Sequence, residues 1–410
     1  MAVRSRVKLP LSRIMRWSLA ALRAAPMQSL SLARLQLAKE FFNVLHPGIA
    51  RGNSDGSGHS LRLIGLRITD VCNLRCHTCG QWGDHGYLKN VPLPELRRRE
   101  LPVAVYHRLI DEVAQAGWRP VWYIWGGEPL LYPDIEEVLM HIASLKMPIS
   151  LVTNGTSLAR YAALLAETCS IVHVSIDGAS PRVHNACRPG ATAAFDSFAH
   201  CTGGLQALYA ARSATHGFPL LAPITCISEY NWDDVPAIYT LLHETANLHV
   251  FYYTWWIDAA ALAEHSADFA NRFGQQATVP YSWRRETANI EADRLADRVA
   301  EVHRLASASS GAIPVFLPPL RAAKDIRAYY ANHRETFGYD QCVSIYMTAE
   351  IGPNGDVSLC RDYSDFVLGN VASDSIRTIW NGPRAREFRS SISNHGLLPV
   401  CRRCCGLMGF

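Results

Sequence analysis

The sequence has no uninterrupted apolar run of the roughly 18 residues that a membrane-spanning helix needs. Its N-terminus also lacks the adjacent charged, apolar and small-residue blocks of a secretory signal. The formal net charge is only +4, well short of the concentrated positive field that nucleic-acid binding usually requires. We therefore expect a cytoplasmic globular protein that does not bind nucleic acid.

Acidic residues are missing from the first 39 residues, which contain eight lysines and arginines. Apolar residues recur there at helical spacing, so we predict two basic amphipathic helices in a preamble of residues 1–58, with a flexible linker at its end. One interpretation is peripheral attachment to an anionic membrane surface. The favoured one is a helical pair that packs on the main domain with its basic side in solvent.

Short apolar runs rich in β-formers alternate with helical stretches after the preamble. The predicted strands are 61–68, 121–127, 149–155, 171–178, 220–227 and 248–255. Stretches such as 104–117 and 134–146 carry the helical period between them. Repeated βα units imply a parallel sheet with helices outside it. We therefore predict an α/β fold, a partial (β/α)6 TIM-like barrel that is open on one side.

The C-terminal part of the chain has a different pattern. Residues 291–307 form an amphipathic helical stretch, and residues 346–360 predict a β-hairpin that turns at PNG. These patterns divide the chain into four regions: the preamble 1–58, a barrel core 59–257, a mainly helical region 258–336 and a small C-terminal domain 337–410.

Twelve cysteines are informative in a chain without signs of secretion, because clustered intracellular cysteines are typically metal ligands or catalytic groups. The first group comprises Cys72, Cys76 and Cys79. The second group comprises Cys342, Cys360, Cys401, Cys404 and Cys405. The remaining four are scattered, and we expect them to be small core side chains: Cys169, Cys187, Cys201 and Cys226.

The first group directly follows the first predicted strand, so it lies on the loop at the C-terminal end of that strand. In parallel βα folds this end carries the chemistry. Structural zinc needs a fourth ligand, which His77 or His85 would supply, so ligand count leaves zinc open. A [4Fe–4S] cluster bound by three thiolates explains the spacing better and leaves one iron open.

The loop CNLRCHTC after a strand resembles the signature loop of the radical S-adenosylmethionine (radical SAM) enzymes. The resemblance covers residues 61 to about 255. It implies that Cys72, Cys76 and Cys79 hold a [4Fe–4S] cluster whose open iron chelates S-adenosylmethionine. Reductive cleavage then gives a 5'-deoxyadenosyl radical that removes a hydrogen atom from a substrate. The family also implies an electron donor such as flavodoxin or ferredoxin.

Three further motifs, WGGEPLL, VTNGT and VSIDG, end the second, third and fourth predicted strands and resemble elements of the same family. Arg188, in HNACRPG, resembles a recurring basic residue of the family. By resemblance, the S-adenosylmethionine contacts are Gly126, Gly127, Glu128, Pro129, Asn154, Ser175, Asp177 and Arg188. In the family, the glycine-rich element receives the amino group, and a basic residue at the position of Arg188 pairs with the carboxylate.

The second group has the spacing C-x12-G-x4-C followed by C-x2-C, a four-thiolate set that zinc also fills. The region resembles the SPASM-type extension of radical SAM enzymes, which holds auxiliary iron–sulfur clusters. The chain ends at Phe410 without the further cysteines of a full SPASM region. We therefore expect one auxiliary cluster on Cys342, Cys360, Cys401 and Cys404, with Cys405 spare or an alternate ligand.

The substrate is the least determined part. The resemblance implies a peptide, a protein or a small molecule as the substrate. Tyr252, Tyr253 and Trp255 in FYYTWWID line either an apolar substrate pocket or the core. An apolar lipid-type substrate at a membrane surface is one alternative. A non-catalytic protein with structural zinc is an alternative of another class.

Overall fold

The computed structural model describes residues 55–58, 61–192, 194–212, 218–286, 288–320 and 322–408. The basic helices predicted for the preamble lie outside these ranges. Within the described residues, no helix is long and apolar enough to cross a membrane.

A mostly parallel, curved β-layer forms the centre of the fold. Its strands are β1 (Leu63–Thr69), β2 (Val121–Gly126), β3 (Ile149–Thr153), β4 (Ile171–Val174), β5 (Leu220–Leu221), β6 (Ile224–Ile227), β7 (Leu248–Tyr253), β8 (Ile313–Leu317), β9 (Thr348–Ile351), β10 (Asp356–Ser358) and β11 (Gly369–Asn370). One sheet has the order β11-β10-β9-β1-β2-β3-β4-β5, and the other has the order β6-β7-β8. A parallel bridge between Ser175 and Ile224 joins them. This arrangement confirms the predicted partial barrel.

The helices follow the strands and cover the outside of the barrel. They are α1 (Leu93–Arg99), α2 (Val103–Gln115), α3 (Ile135–Ser144), α4 (Leu158–Thr168), α5 (Pro181–Cys187), α6 (Ser197–Ala211), α7 (Val235–Leu242), α8 (Ala259–Phe273), α9 (Ala292–Ala308), α10 (Ala323–Ala331), α11 (Ile376–Trp380) and α12 (Pro383–His395).

Side chains alternate between the two faces of β1, and this alternation gives the barrel wall two different faces. Ile64, Leu66 and Ile68 are fully buried and join the main hydrophobic core together with the apolar face of α2. The intervening Arg67 and Thr69 belong to the opposite face because successive side chains alternate along a strand. The outer face therefore stabilises the fold, and the inner face is free to carry polar and ligand-binding groups.

The fifth predicted strand, 220–227, is two strands in the structure. β5 pairs with β4, and β6 pairs with β7. The interruption lies at Ala222 and Pro223, and a proline has no backbone N–H to contribute to a ladder. This break divides the barrel wall into the two sheets.

Two strands extend the predicted six-strand barrel. β8 pairs in parallel with β7, and β9 pairs in parallel with β1. β9 is also the first strand of the predicted hairpin, and it returns into β10 through a turn in which the Gly352 amide donates to Asp356 O over 2.8 Å. The C-terminal region therefore continues the barrel sheet.

Candidate functional site

The first cysteine loop opens into a cavity at the carboxyl ends of the barrel strands. Cys72, Cys76 and Cys79 all line this cavity, whose volume is about 380 Å³. Burial raises the pKa of the Cys76 thiol to about 12, and burial likewise raises the pKa of Cys72. Thiolates in this loop therefore need a bound cation to offset their desolvation.

Several donors point at the sulfur atoms of this loop. Asn154 Nδ2 lies 3.8 Å from Cys72 Sγ, and Arg188 Nη1 lies 3.7 Å from Cys76 Sγ. The Trp82 amide lies 3.4 Å from Cys79 Sγ. Hydrogen bonds to cluster sulfurs are typical of iron–sulfur sites, so this donor set fits such a cluster.

Single-ion coordination fits the described residues less well. Within that part of the chain, no three histidine, cysteine, aspartate or glutamate side chains converge on one position for a metal ion. Structural zinc requires four ligands around one point, whereas the irons of a cube lie at separate corners. The cysteine arrangement therefore fits a cluster better than structural zinc.

The glycine pair after β2 fixes the start of the cysteine loop. The Gly127 amide donates to Thr69 O over 2.7 Å, and the Glu128 amide donates to Val71 O over 2.8 Å. A Cβ on either Gly126 or Gly127 would overlap one of the carbonyl oxygens of this loop. Both glycines line the cavity, so their backbone is accessible to a ligand there.

The Glu128 side chain is turned away from the cavity. It is fully buried, and its carboxylate accepts hydrogen bonds from the Leu130 amide, Thr153 Oγ1 and the Asn154 amide at 2.7 to 3.1 Å. Burial raises its pKa to about 7, against these hydrogen bonds. The carboxylate thus joins the ends of β2 and β3, and Pro129 beside it is also buried. The structure does not bring either side chain to the cavity wall.

The motifs after β3 and β4 separate into cavity-lining and supporting residues. Asn154, Ser175 and Arg188 line the cavity. Asp177 lies behind them, where Oδ2 accepts from Arg188 Nε over 2.6 Å and Oδ1 accepts from the Cys226 amide over 2.8 Å. The buried carboxylate therefore orients the Arg188 guanidinium toward Cys76 and the cavity.

The second cysteine group reaches the same cavity through Cys404. Burial raises the pKa of Cys360, with further contributions from Asp362, Cys401 and Cys342. Burial, followed by Cys342, raises the pKa of Cys401 to about 12. These mutual effects place three thiols of the group close together, and Cys404 lines the cavity itself.

The comparisons with known proteins match both cysteine regions. The model described as the radical SAM superfamily matches residues 66–242, and the SPASM model, an iron–sulfur cluster-binding domain, matches residues 342–405. The chain contains a radical SAM domain and a SPASM domain. The radical SAM domain implies a [4Fe–4S] cluster with S-adenosylmethionine, and the SPASM domain implies auxiliary iron–sulfur binding.

Curated relatives match the radical SAM part over limited lengths. The AdoMet-dependent heme synthase of Methanosarcina barkeri is 32% identical over 197 residues, which are 47% of this chain and 50% of the relative. GTP 3',8-cyclase 2 of Mycobacterium tuberculosis is 35% identical over 160 residues, which are 38% of this chain and 41% of the relative. The chain spans half or less of these relatives. Nothing in the comparisons points to a membrane-derived substrate or to structural zinc.

A solved structure supports the fold. SuiB of Streptococcus suis, bound to S-adenosylmethionine, aligns with a TM-score of 0.55 and 14% identity, over 89% of this chain and 73% of SuiB. At this identity the likeness establishes the shared architecture alone.

Aromatic side chains form much of the cavity wall. The three predicted residues Tyr252, Tyr253 and Trp255 all line the cavity. Tyr253 also belongs to the core under β7, where it is 2% exposed. Sequence reasoning missed further lining aromatics: Tyr87, Tyr123, Trp125, Trp283, Tyr329 and Tyr363. For Tyr123 and Trp125, the alternation within VWYIWGG was a usable signal because both occupy inward positions of β2.

Cys226 lies in the cavity wall, although we expected it in the core. Its neighbours Thr225 and Ile227 are buried, and the alternation of β6 turns Cys226 inward. Cys169, Cys187 and Cys201 are buried as expected.

A segment between the two matched domains holds the first cysteine loop from outside. Trp283 packs against Gly80 so closely that a Cβ on the glycine would overlap the indole. Arg285 Nη2 donates to His77 O over 2.9 Å, and Arg285 also pairs with Glu229 at 3.0 Å. We call Trp283 and Arg285 the loop clamp. No sequence motif marked it, because its contacts span about two hundred residues.

Proposed function

We propose that this chain is a radical SAM enzyme that acts on a substrate held in the cavity between its two cysteine groups. One observation carries the proposal: a single cavity at the carboxyl ends of the strands is lined both by Cys72, Cys76 and Cys79 and by Cys404. Parallel βα barrels place their chemistry at this end.

The cavity wall supports separate roles for the predicted residues. Cys72, Cys76 and Cys79 are proposed to ligate the [4Fe–4S] cluster. The backbone at Gly126 and Gly127 would receive the S-adenosylmethionine amine, and Arg188, held by Asp177, would pair with its carboxylate. Buried Gln81 Nε2, which lacks a hydrogen-bond partner among the described residues, is a further donor in this wall.

The cluster and S-adenosylmethionine, when bound, supply a 5'-deoxyadenosyl radical that removes a hydrogen atom from the substrate. The chain's own residues orient the two molecules and exclude water. The aromatic wall suits this role, because a reactive carbon radical must meet substrate before any other hydrogen source.

Cys342, Cys360, Cys401 and Cys404 are proposed to hold one auxiliary iron–sulfur cluster that relays electrons or maintains structure. An electron donor such as flavodoxin or ferredoxin is the proposed partner. The proposal keeps the division of the chain into the regions 1–58, 59–257, 258–336 and 337–410.

The names of the relatives do not identify a substrate for this chain. Their names refer to heme and to GTP, and SuiB was also solved with the precursor peptide SuiA. Since these names refer to three unlike kinds of compound on related folds, the cavity of this chain must identify its own substrate.

Anaerobic reconstitution tests the proposal. We expect about eight irons per chain, four for each of two [4Fe–4S] clusters, and formation of 5'-deoxyadenosine under reduction. Cys76→Ala should abolish 5'-deoxyadenosine formation, and Cys360→Ala should remove about half of the iron. Cys169→Ala, in the core and outside both groups, is the matched control and should retain both properties. Zinc without iron, and no 5'-deoxyadenosine from the wild type, would overturn the proposal.

A further inference from the structure

Asp362 is a carboxylate in the cavity wall without a partner. It lies two residues after Cys360, in the segment between β10 and β11, and it lines the same cavity as the first cysteine loop. Among the described residues, it accepts no hydrogen bond and forms no ion pair within 4.0 Å, the limit for such pairs. Asp362 is partly exposed, and a carboxylate that is partly withdrawn from water without a hydrogen-bond partner favours a cationic ligand.

The other charges of the cavity are already paired. Apart from the cysteines assigned to the clusters, the described lining residues that carry a formal charge are Arg188, Arg361 and Asp362. Arg188 pairs with Asp177 at 2.6 Å. Arg361 donates through Nε and Nη2 to Glu350 Oε1 at 3.2 and 3.0 Å.

The Arg361 guanidinium is also held by stacking, since it lies 4.0 Å from the centroid of the Tyr123 ring. Its strongest contacts are therefore directed at Glu350 and Tyr123. Both guanidinium groups are hydrogen-bonded to carboxylates outside the lining, so Asp362 is attracted by the Arg361 charge but has no cation within ion-pair distance among the described residues.

The surfaces beside Asp362 are suited to a cation with an apolar body. Tyr363 follows it in the chain, and the Tyr363 ring lies 5.5 Å from the Trp255 ring, which in turn lies 6.2 Å from the Trp283 ring. Aromatic faces attract organic cations and also bury apolar groups. A carboxylate next to a continuous aromatic wall is a typical combination for ammonium recognition.

We propose that Asp362 binds a protonated amine of the substrate, so that the enzyme acts on an amine-bearing compound with an apolar or aromatic body. This proposal rests on the proposed function, and it names the substrate class for the same cavity. The amine lies on the side of the second cysteine group, and the body extends along the aromatic wall toward Cys72, Cys76 and Cys79. Asp362 thereby selects which part of the substrate faces the radical-forming side.

Anaerobic calorimetry on the reconstituted protein with S-adenosylmethionine tests this inference with three matched probes. Tyramine is the cation, 4-ethylphenol the neutral analogue and 4-hydroxyphenylacetate the anion. We expect tyramine to bind about tenfold or more tightly than 4-ethylphenol, because a charge-assisted hydrogen bond is formed only by the amine. The anion should bind most weakly.

Asp362→Asn should bring the affinities for tyramine and 4-ethylphenol to within about twofold of each other, whereas Asp362→Glu should retain the preference for the cation. Asp374→Asn removes an exposed carboxylate away from the cavity and should leave all three affinities unchanged. Thermal unfolding of each variant checks that it is folded.

Equal affinities of the three probes for the wild type, no measurable binding of tyramine, or a cation preference that survives in Asp362→Asn would each overturn the inference. The assay does not depend on 5'-deoxyadenosine formation. A protein that cleaves no S-adenosylmethionine but prefers tyramine through Asp362 would overturn the proposed function and leave the amine site standing.

Discussion

The first cysteine group and Cys404 of the second group line one cavity, but the fold assembles the two groups differently. Cys72, Cys76 and Cys79 lie on one loop that leaves β1 directly, so short-range geometry sets their spacing. The second group comes from three separate places: Cys342 before β9, Cys360 after β10, and the pair Cys401 and Cys404 near the C-terminus. The first group therefore depends on the barrel and the loop clamp, whereas the second requires the hairpin and the last segment to dock.

The ion pairs beside the two cysteine groups also differ, in how exposed their side chains are. Arg188 and Asp177 have side chains only 10% and 2% exposed, whereas Arg402 and Glu264 beside the second group are 21% and 35% exposed. Losing one partner of a buried pair leaves an uncompensated charge, but an exposed partner is rehydrated. The first group should therefore be far more sensitive to charge removal.

Arg188→Ala should produce the largest effect. It leaves the Asp177 carboxylate buried and unpaired and removes the donor to Cys76 Sγ. We expect the free energy of unfolding to fall by about 3–5 kcal/mol, measured by urea denaturation, and S-adenosylmethionine binding to weaken in calorimetry. Arg182→Ala, on the exposed side of α5, is the matched control and should change neither quantity.

The pH dependence of the unfolding free energy provides a second test of the barrel, through His173. Burial lowers the pKa of His173, in β4, to about 4, where its ring contacts Ser150 and the Ala222 carbonyl. Since this folded-state pKa lies below the unfolded value of about 6.5, folding favours the neutral ring. The contribution to stability is full above pH 6.5 and is lost as the pH falls toward about 4.

His173→Gln should therefore reduce the pH dependence of the unfolding free energy by about one proton, or about 1.4 kcal/mol per pH unit, within that window. Asn394→Gln, at an exposed position of α12 in the C-terminal region, changes no titratable group and is the control that should retain the wild-type slope. An unchanged slope for His173→Gln would show that the barrel interior does not hold this ring neutral.

A substitution in the loop clamp is expected to have an intermediate effect, and only on the first cysteine group. Arg285→Gln removes the donor to His77 O and the ion pair with Glu229, and we expect a loss of about 1–3 kcal/mol of loop stabilisation. The measurement is the rate at which a chelator removes iron from each reconstituted cluster, followed by electron paramagnetic resonance.

Only the iron at the first group should leave faster in Arg285→Gln. Arg284→Gln is the matched control. The Arg284 side chain is half exposed, and among the described residues its ion pair is with exposed Glu286. Equal acceleration at both groups would mean that the segment stabilises the whole chain rather than the loop.

The sequence predicted those parts of the site whose residues are close together in the chain. The cysteine spacing, the glycine pair at Gly126 and Gly127, and the order of the first strands are all local patterns, and the structure brings them to one end of the barrel. Asp177 is instructive, because its motif was recognised but only the fold reveals that its carboxylate orients Arg188.

The parts that sequence reasoning missed depend on long-range contacts. β8 and the parallel pairing of β9 with β1 have no local signature beyond a short apolar run. Arg361 and Asp362 reach the cavity only because the hairpin docks on the barrel. The break in the fifth strand was readable in principle, since Pro223 lies inside the predicted run.

The smallest expected effect belongs to Arg402→Ala, beside the second group. The pair with Glu264 is short, at 2.6 Å, but both side chains are partly exposed, so solvent replaces much of what is lost. We expect the free energy of unfolding to change by at most about 1 kcal/mol, and a double-mutant cycle with Glu264→Ala should give a coupling energy in the same range. The iron content should stay at the wild-type value. A loss as large as that of Arg188→Ala would remove the difference between the two groups, because it would mean that docking of the C-terminal cysteines depends on this one pair.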